Sequence, residues 1–70
     1  MKSFELHICS EDELLLTDSI DAENYDAALK LAKAELKKMQ KDYTRSWKED
    51  LLEFPYTPKP KLFIGKLEHE

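Results

Sequence analysis

The sequence predicts an α+β domain of β-β-α-β order, in which one long amphipathic helix covers one face of a three-stranded antiparallel sheet. Three observations predict this fold: an alternating apolar segment near the N-terminus, a helical apolar stripe that follows Asn24, and a final apolar segment that follows three prolines. We expect the whole chain, residues 1–70, to form one small domain.

The first predicted strand covers residues 3–8, where apolar and polar residues alternate. Its apolar positions are Phe4, Leu6 and Ile8. The polar residues 10–13 lack the glycine that a two-residue hairpin turn prefers, so we expect a loop of four or five residues. The second strand, residues 14–20, is predicted to pair antiparallel with the first. Asp18 lies in phase with the apolar residues of this strand, which indicates a bulge or an edge position.

The helix is predicted to begin after Asn24, a residue type favoured as a helix N-cap. The apolar residues that follow are spaced three and four apart and form one stripe: Tyr25, Ala28, Leu29, Ala32, Leu36, Met39 and Tyr43. Asp26 in the first turn suits the positive end of the helix dipole. The small side chains in the stripe predict that the helix approaches the sheet closely.

Around residues 43–46 we expect a kink or a break in the helix. Ser46 and Glu49 match the spacing of a capping box, which favours a short second helix there. That helix would be lined by Trp47, Leu51 and Phe54. Three prolines then predict an extended connection: Pro55, Pro58 and Pro60. The third strand is predicted at residues 62–67.

Charge is sorted along the chain. Residues 1–26 carry eight acidic residues and one basic residue, whereas residues 27–48 carry seven basic and two acidic residues. Residues 49–70 carry five acidic and three basic residues, and the whole chain has a net charge of −4. We therefore expect two surfaces of opposite charge, which would steer a partner by its own charge.

The composition argues against an enzyme, a cofactor or a membrane protein. Cys9 is the only cysteine, which excludes an intrachain disulfide and favours a reducing, cytoplasmic compartment. His7 lies two residues away on the same strand face, but a third ligand is lacking, so we expect no metal site. Gly65 is the only glycine, which excludes a glycine-rich phosphate loop. The longest apolar run, residues 14–16, is too short to span a bilayer, and the N-terminus does not resemble a signal peptide.

The basic residues of the helix form a candidate nucleic-acid surface. At 100° per residue, five lysines lie roughly opposite the apolar stripe: Lys30, Lys33, Lys37, Lys41 and Lys48. Such a face could follow nucleic-acid phosphates, or it could be the ordinary solvated face of an amphipathic helix. Lysine outnumbers arginine, no aromatic residue lies among these lysines, and the net charge is negative. These features weaken the nucleic-acid interpretation.

A second candidate surface would bind another protein. Its predicted residues are an acidic loop and three aromatic residues: Glu11, Asp12, Glu13, Tyr43, Trp47 and Tyr56. Aromatic side chains near prolines are typical interface anchors, although Trp47 and Phe54 could instead complete the core. The acidic loop lacks the ligand spacing of a calcium loop, so it could dock on a basic groove or simply aid solubility. It could also meet the lysines of a second copy in a homodimer.

Residues 20–33, with the sequence IDAENYDAALKLAK, are similar to the strand-to-helix junction of small β-β-α-β proteins. This segment resembles HicB-type antitoxins, whose helix carries an A-x-x-x-x-E-A-L-x-x-A pattern. It also resembles small phage and mobile-element proteins, anti-CRISPR proteins among them. The second resemblance implies a non-enzymatic, phage-type inhibitor of a host nucleic-acid-handling complex. The first implies an antitoxin-like regulator, which would use the lysines of the helix to bind nucleic acid.

Overall fold

The computed structural model describes all of residues 1–70. Strand β1 covers Lys2–Cys9, β2 covers Leu14–Ala22, helix α1 covers Tyr25–Asp50 and β3 covers Phe63–His69. The strands form one antiparallel sheet in the spatial order β2-β1-β3. The predicted α+β fold of β-β-α-β order is therefore confirmed, with β1 as the central strand.

The alternation in β1 produces one buried face. Phe4, Leu6 and Ile8 are at most 3% exposed, whereas the residues between them are half-buried. The helix contributes Ala28 and Ala32, both 0% exposed, whose short side chains let α1 approach the sheet closely. Larger, partly buried residues close the margins of this core: Ile20, Leu36, Met39, Ile64 and Leu67. Because only six of 70 residues are fully buried, the stability of the fold depends on a thin core.

Helix α1 begins at the predicted cap. The Oδ1 atom of Asn24 accepts a hydrogen bond from the Ala27 backbone N–H at 2.9 Å, which satisfies one of the free donors of the first turn. Tyr25 meets the ring of Phe4 edge-on, with the ring centroids 6.4 Å apart. Because Tyr25 is 50% exposed, it borders the core rather than filling it.

The predicted break at residues 43–46 and the predicted short second helix are wrong, because α1 continues without interruption to Asp50. Ser46 and Glu49 form no capping box, since both lie inside the helix. The physical reason is that residues 25–50 contain neither proline nor glycine, so nothing in the backbone opposes a helix there.

Both β-bulges of the sheet lie toward the end where β1 and β2 are joined. Leu15 is left unpaired between β1 and β2, and Gly65 is left unpaired between β1 and β3. Asp18 lies opposite Leu6 in regular register on an edge strand. Of the two alternatives predicted for Asp18, the structure has the edge position. The loop that joins β1 and β2 has four residues, in agreement with the predicted length of four or five.

The helix extends past the sheet. Its 26 residues span about 39 Å, but Met39 is the last helical residue packed in the core. The molecule is accordingly elongated, with extents of 46 × 19 × 14 Å and a radius of gyration of 14.2 Å. A compact domain of this length would have a radius of gyration of about 11 Å. We call residues 40–62, which comprise the extension and the segment that returns along it, the arm.

The sheet face away from the helix is polar and centres on Glu5. One carboxylate oxygen of Glu5 lies 2.9 Å from His7 Nε2, and the other lies 2.9 Å from Lys66 Nζ. The hydrogen bond with Lys66, followed by the one with His7, lowers the pKa of Glu5 below its ordinary value of 4.5. The same contact with Glu5 raises the pKa of Lys66 above 10.5. This network therefore favours the charged form of both groups.

Replacing Glu5→Gln should destabilise the fold mainly at neutral pH. The pKa of Glu5 is lower in the folded state, so its stabilising effect is present above its unfolded pKa and is lost as pH falls through the folded pKa. Urea unfolding at neutral pH and at about pH 3 should therefore show the larger difference from wild type at neutral pH. Glu53→Gln, which removes an exposed carboxylate that forms no ion pair, is the control. Identical pH profiles for the two variants would contradict the prediction.

Replacing Gly65→Ala should destabilise the sheet, because a Cβ atom at Gly65 would lie 2.5 Å from Cys9 Sγ. In a Cys9→Ala background the nearest atom would be the Cβ of residue 9 at 3.5 Å, an ordinary van der Waals distance. We expect a loss of about 1–3 kcal/mol in the wild-type background and a smaller loss in the Cys9→Ala background. A double-mutant cycle of urea unfolding measures the difference. Equal losses would show that Sγ does not limit the space at Gly65.

Candidate functional site

Gln40 fixes the base of the arm to the start of β3. Its Nε2 atom donates to Pro60 O at 2.9 Å and to Thr44 Oγ1 at 3.1 Å. Its Oε1 atom accepts from Leu62 N at 2.9 Å. Because Pro60 O can only accept and Leu62 N can only donate, these two partners determine the orientation of the amide. The returning segment is thus held to the helix where the arm leaves the sheet.

Trp47 holds the middle of the arm. Its indole Nε1 donates to Thr57 O at 2.8 Å, and Lys59 Nζ lies 5.9 Å from the centroid of its ring, within cation–π distance. The hydroxyl of Thr57 donates to Phe54 O at 2.8 Å, which closes the turn after the helix. Together with Gln40, these contacts fasten the returning segment alongside α1.

The end of the arm exposes large apolar side chains. Leu52 is 87% exposed, Phe54 is 65% exposed and Tyr56 is 95% exposed. We call these three residues the tip cluster. Residues 49–57, which contain the tip cluster, include three acidic residues and no basic residue. Phe54 and Tyr56 line one depression, and exposed apolar side chains that lie together are typical of a contact surface.

A groove of about 460 Å³ lies between α1 and the returning segment. Its apolar walls are formed by Tyr43 and Trp47 on the helix and by Pro58 and Pro60 opposite. The groove continues the helix face that, nearer the N-terminus, is covered by the sheet. Past the end of the sheet that face is only partly covered, because the returning segment is narrower than the sheet.

The groove is acidic. Asp42 and Asp50 are among its lining residues, and no basic residue lines it. Asp42 Oδ1 lies 3.2 Å from Arg45 Nη2, whereas Asp50 forms no ion pair. Asp50 is also the last residue of the helix, where the backbone carbonyls add negative potential.

The predicted acidic loop lies at the base of the arm. Glu11 and Asp12 line a depression of about 180 Å³ together with Lys59 and Lys61, although no ion pair joins them. Glu13 is exposed. The predicted protein-binding residues therefore separate into three places: Glu11, Asp12 and Glu13 near the base, Tyr43 and Trp47 in the groove, and Tyr56 at the tip.

The five predicted nucleic-acid-binding lysines are all exposed, and none pairs with a carboxylate: Lys30, Lys33, Lys37, Lys41 and Lys48. They lie on the side of α1 turned away from Ala28 and Ala32. Lys38, outside this set, lines a depression with Asp18 and Asp21 on β2. No ion pair joins the acidic residues of residues 1–26, the acidic N-terminal block, to the basic residues of the helix.

Sequence reasoning missed Leu52 in the tip cluster and Asp42 and Asp50 in the groove. Asp42 and Asp50 are eight residues apart in sequence, which places them on one side of a continuous helix. The expected break at residues 43–46 hid that relation. Leu52 gave no periodic signal, because it follows the end of the helix.

The histidine and the cysteine of β1 have different neighbours. His7 is paired with Glu5, Cys9 packs beside Gly65, and no three His, Cys, Asp or Glu residues lie together in a way that could hold a metal ion. Helix α1 is too polar along its length to cross a membrane. None of the protein-family models, curated proteins or solved structures compared with the chain matches it.

Replacing Gln40→Ala should loosen the arm. The change leaves Leu62 N and Pro60 O without their partner, which we expect to cost about 1–3 kcal/mol of the free energy of unfolding. Hydrogen exchange of the Leu62 amide should accelerate by more than that of amides in β1. Lys41→Ala, at the next and exposed helix position, is the control. Unchanged protection of the Leu62 amide would contradict this role of Gln40.

Proposed function

We propose that this protein is a non-enzymatic, cytoplasmic protein-binding module, and that the arm carries its contact surface. The observation that carries the proposal is the tip cluster, whose side chains are 65% to 95% exposed. They lie on a segment that the hydrogen bonds of Trp47 and Thr57 hold against the helix.

Two physical properties of the arm suit binding. The tip cluster is preorganised, so its association with a partner would cost less ordering entropy than binding by a free peptide. Leu52, Phe54 and Tyr56 can each fill an apolar pocket, and aromatic anchors of this kind dominate the binding energy of many interfaces. The three acidic residues of residues 49–57 favour a basic surface as the contact of the tip cluster.

The resemblance of residues 20–33 to small phage and mobile-element proteins supports a narrower proposal. The partner would be a component of a host nucleic-acid-handling complex, of the CRISPR kind, and the protein would inhibit it by covering a working surface. Such complexes carry basic surfaces that track phosphates, and residues 49–57 at the end of the arm, with three acidic residues and no basic one, are complementary to them in charge.

A second candidate function is nucleic-acid binding or antitoxin-like regulation by the helix lysines. The observation that favours it is the row of exposed lysines from Lys30 to Lys48 that pair with no carboxylate. This row spans about 27 Å, which would cover several phosphates of a duplex. The net charge of −4 opposes this function.

A triple variant of the tip cluster, Leu52→Ser with Phe54→Ser and Tyr56→Ser, should lose its partner while retaining the fold. Affinity capture from a lysate of host cells, quantified by mass spectrometry, compares wild type, this variant and a lysine variant. The lysine variant carries Lys30→Gln, Lys37→Gln and Lys41→Gln. We expect one protein to be captured by wild type and by the lysine variant but not by the tip variant. With that protein purified, the tip variant should bind at least about 30-fold more weakly, because anchor residues each contribute about 2 kcal/mol or more.

Equal urea midpoints for the three proteins would show that the fold is intact. Capture that depends on the lysines and not on the tip cluster, with a steep fall of duplex affinity as salt rises, would support the second candidate instead. If wild type sediments as a dimer and the tip variant as a monomer, the partner is a second copy of the chain.

A further inference from the structure

We infer that the groove of the arm binds the cationic side chain of a lysine or arginine in a partner polypeptide. The inference deepens the proposed function and rests on it, because it assigns a chemical class to one part of the partner. It concerns Tyr43, Trp47 and Asp50, none of which is a member of the tip cluster.

The aromatic walls suit a cation. Tyr43 is 37% exposed and Trp47 is half-buried, so both present ring surface to the groove. The faces of such rings attract ammonium and guanidinium groups. The structure contains one example of this attraction, since Lys59 Nζ lies 5.9 Å from the centroid of the Trp47 ring. Lys59 lines the depression beside the acidic loop and is not among the residues that line the groove.

The charge of the groove points to the same ligand. Asp42 is already paired with Arg45, but Asp50 has no ion pair and stands at the negative end of the helix dipole. A cation beside Asp50 would therefore pair with the carboxylate, whereas the last carbonyls of the helix already accept backbone hydrogen bonds. A purely apolar ligand would instead remove water from Asp50 without replacing its interactions, which is unfavourable.

The size and walls of the groove suit the rest of such a side chain. Its volume of about 460 Å³ lies within the range of about 300–1,000 Å³ typical of ligand sites. Tyr43, Pro58 and Pro60 offer apolar surface to the methylene stem of a lysine or arginine, while the charged end reaches the carboxylate. These side chains combine an apolar stem with a cationic head, and the groove complements both.

Trp47 is the only tryptophan of the chain, so its fluorescence reports on this groove directly. The probe is a hexalysine peptide, and its counterpart with every side-chain amine acetylated is the neutral comparison. We expect hexalysine to change the fluorescence of the wild-type protein saturably and the acetylated peptide to have no such effect. The dissociation constant should rise about ten-fold in Asp50→Asn. Glu49→Gln removes the same charge at the neighbouring position, which does not line the groove, and should change the constant by less than about two-fold.

Three results would overturn the inference: no fluorescence change in wild type, equal weakening by Asp50→Asn and Glu49→Gln, or equal binding of the acetylated peptide. Equal weakening would indicate diffuse attraction, and binding of the acetylated peptide would indicate an apolar site. Urea unfolding of both variants checks that the fold is retained. If hexalysine does not bind, but capture of the partner still requires the tip cluster, only this inference is wrong. If hexalysine binding depends on Asp50, but capture does not require the tip cluster, only the proposed role of the tip cluster is wrong.

Discussion

The close contact between two alanines of α1 and the central strand is the interaction on which the rest of the structure depends. Ala28 packs with Phe4, and Ala32 packs with Leu6 and Ile8. Because the two side chains are short, the helix backbone lies near the sheet and larger residues can close the core on either side. This contact also fixes the position of the helix along the direction of the strands. The arm exists because the helix is far longer than the stretch that these alanines anchor.

The sheet with the first part of α1, on the one hand, and the arm, on the other, are therefore stabilised by different interactions. Near the N-terminus of α1, burial of apolar surface between the helix and the sheet dominates. In the arm, side-chain hydrogen bonds from Gln40 and Trp47 hold the returning segment in place. Hydrogen bonds orient a segment without covering its apolar side chains. That difference explains how the arm can be ordered and still expose Leu52, Phe54 and Tyr56.

Features that depend on neighbouring residues could be predicted from the sequence. The alternation in β1, the Asn24 cap and the apolar stripe of the helix are local patterns, and each is present in the structure. The capping box at Ser46 and Glu49 is also a local pattern, but it was misleading. A pattern of four residues cannot end a helix when no residue there opposes the helical backbone.

Individual side-chain contacts between residues distant in sequence could not be predicted. The groove requires Trp47 to meet Thr57, and the base of the arm requires Gln40 to meet Pro60 and Leu62. No periodicity in the sequence encodes these contacts. The bulge at Gly65 likewise reflects the nearness of Cys9 on another strand. The sorting of charge, by contrast, was visible in the sequence, and no ion pair joins the acidic N-terminal block to the basic helix.

The carboxylate of Asp18 affects whether another strand can pair with β2, an edge strand of the sheet. Asp18 stands opposite Leu6, on the face that the helix covers, in a strand with one side open. Its Oδ1 atom accepts from Ser19 N at 2.8 Å, so it also occupies a backbone donor of that strand. A strand of another molecule that paired with β2 here would have to desolvate the carboxylate of Asp18. On the other edge strand, β3, the bulge at Gly65 interrupts the regular pairing with β1. Each edge of the sheet thus carries a feature that opposes the addition of another strand, which would limit polymerisation through the backbone in a chain with so small a core.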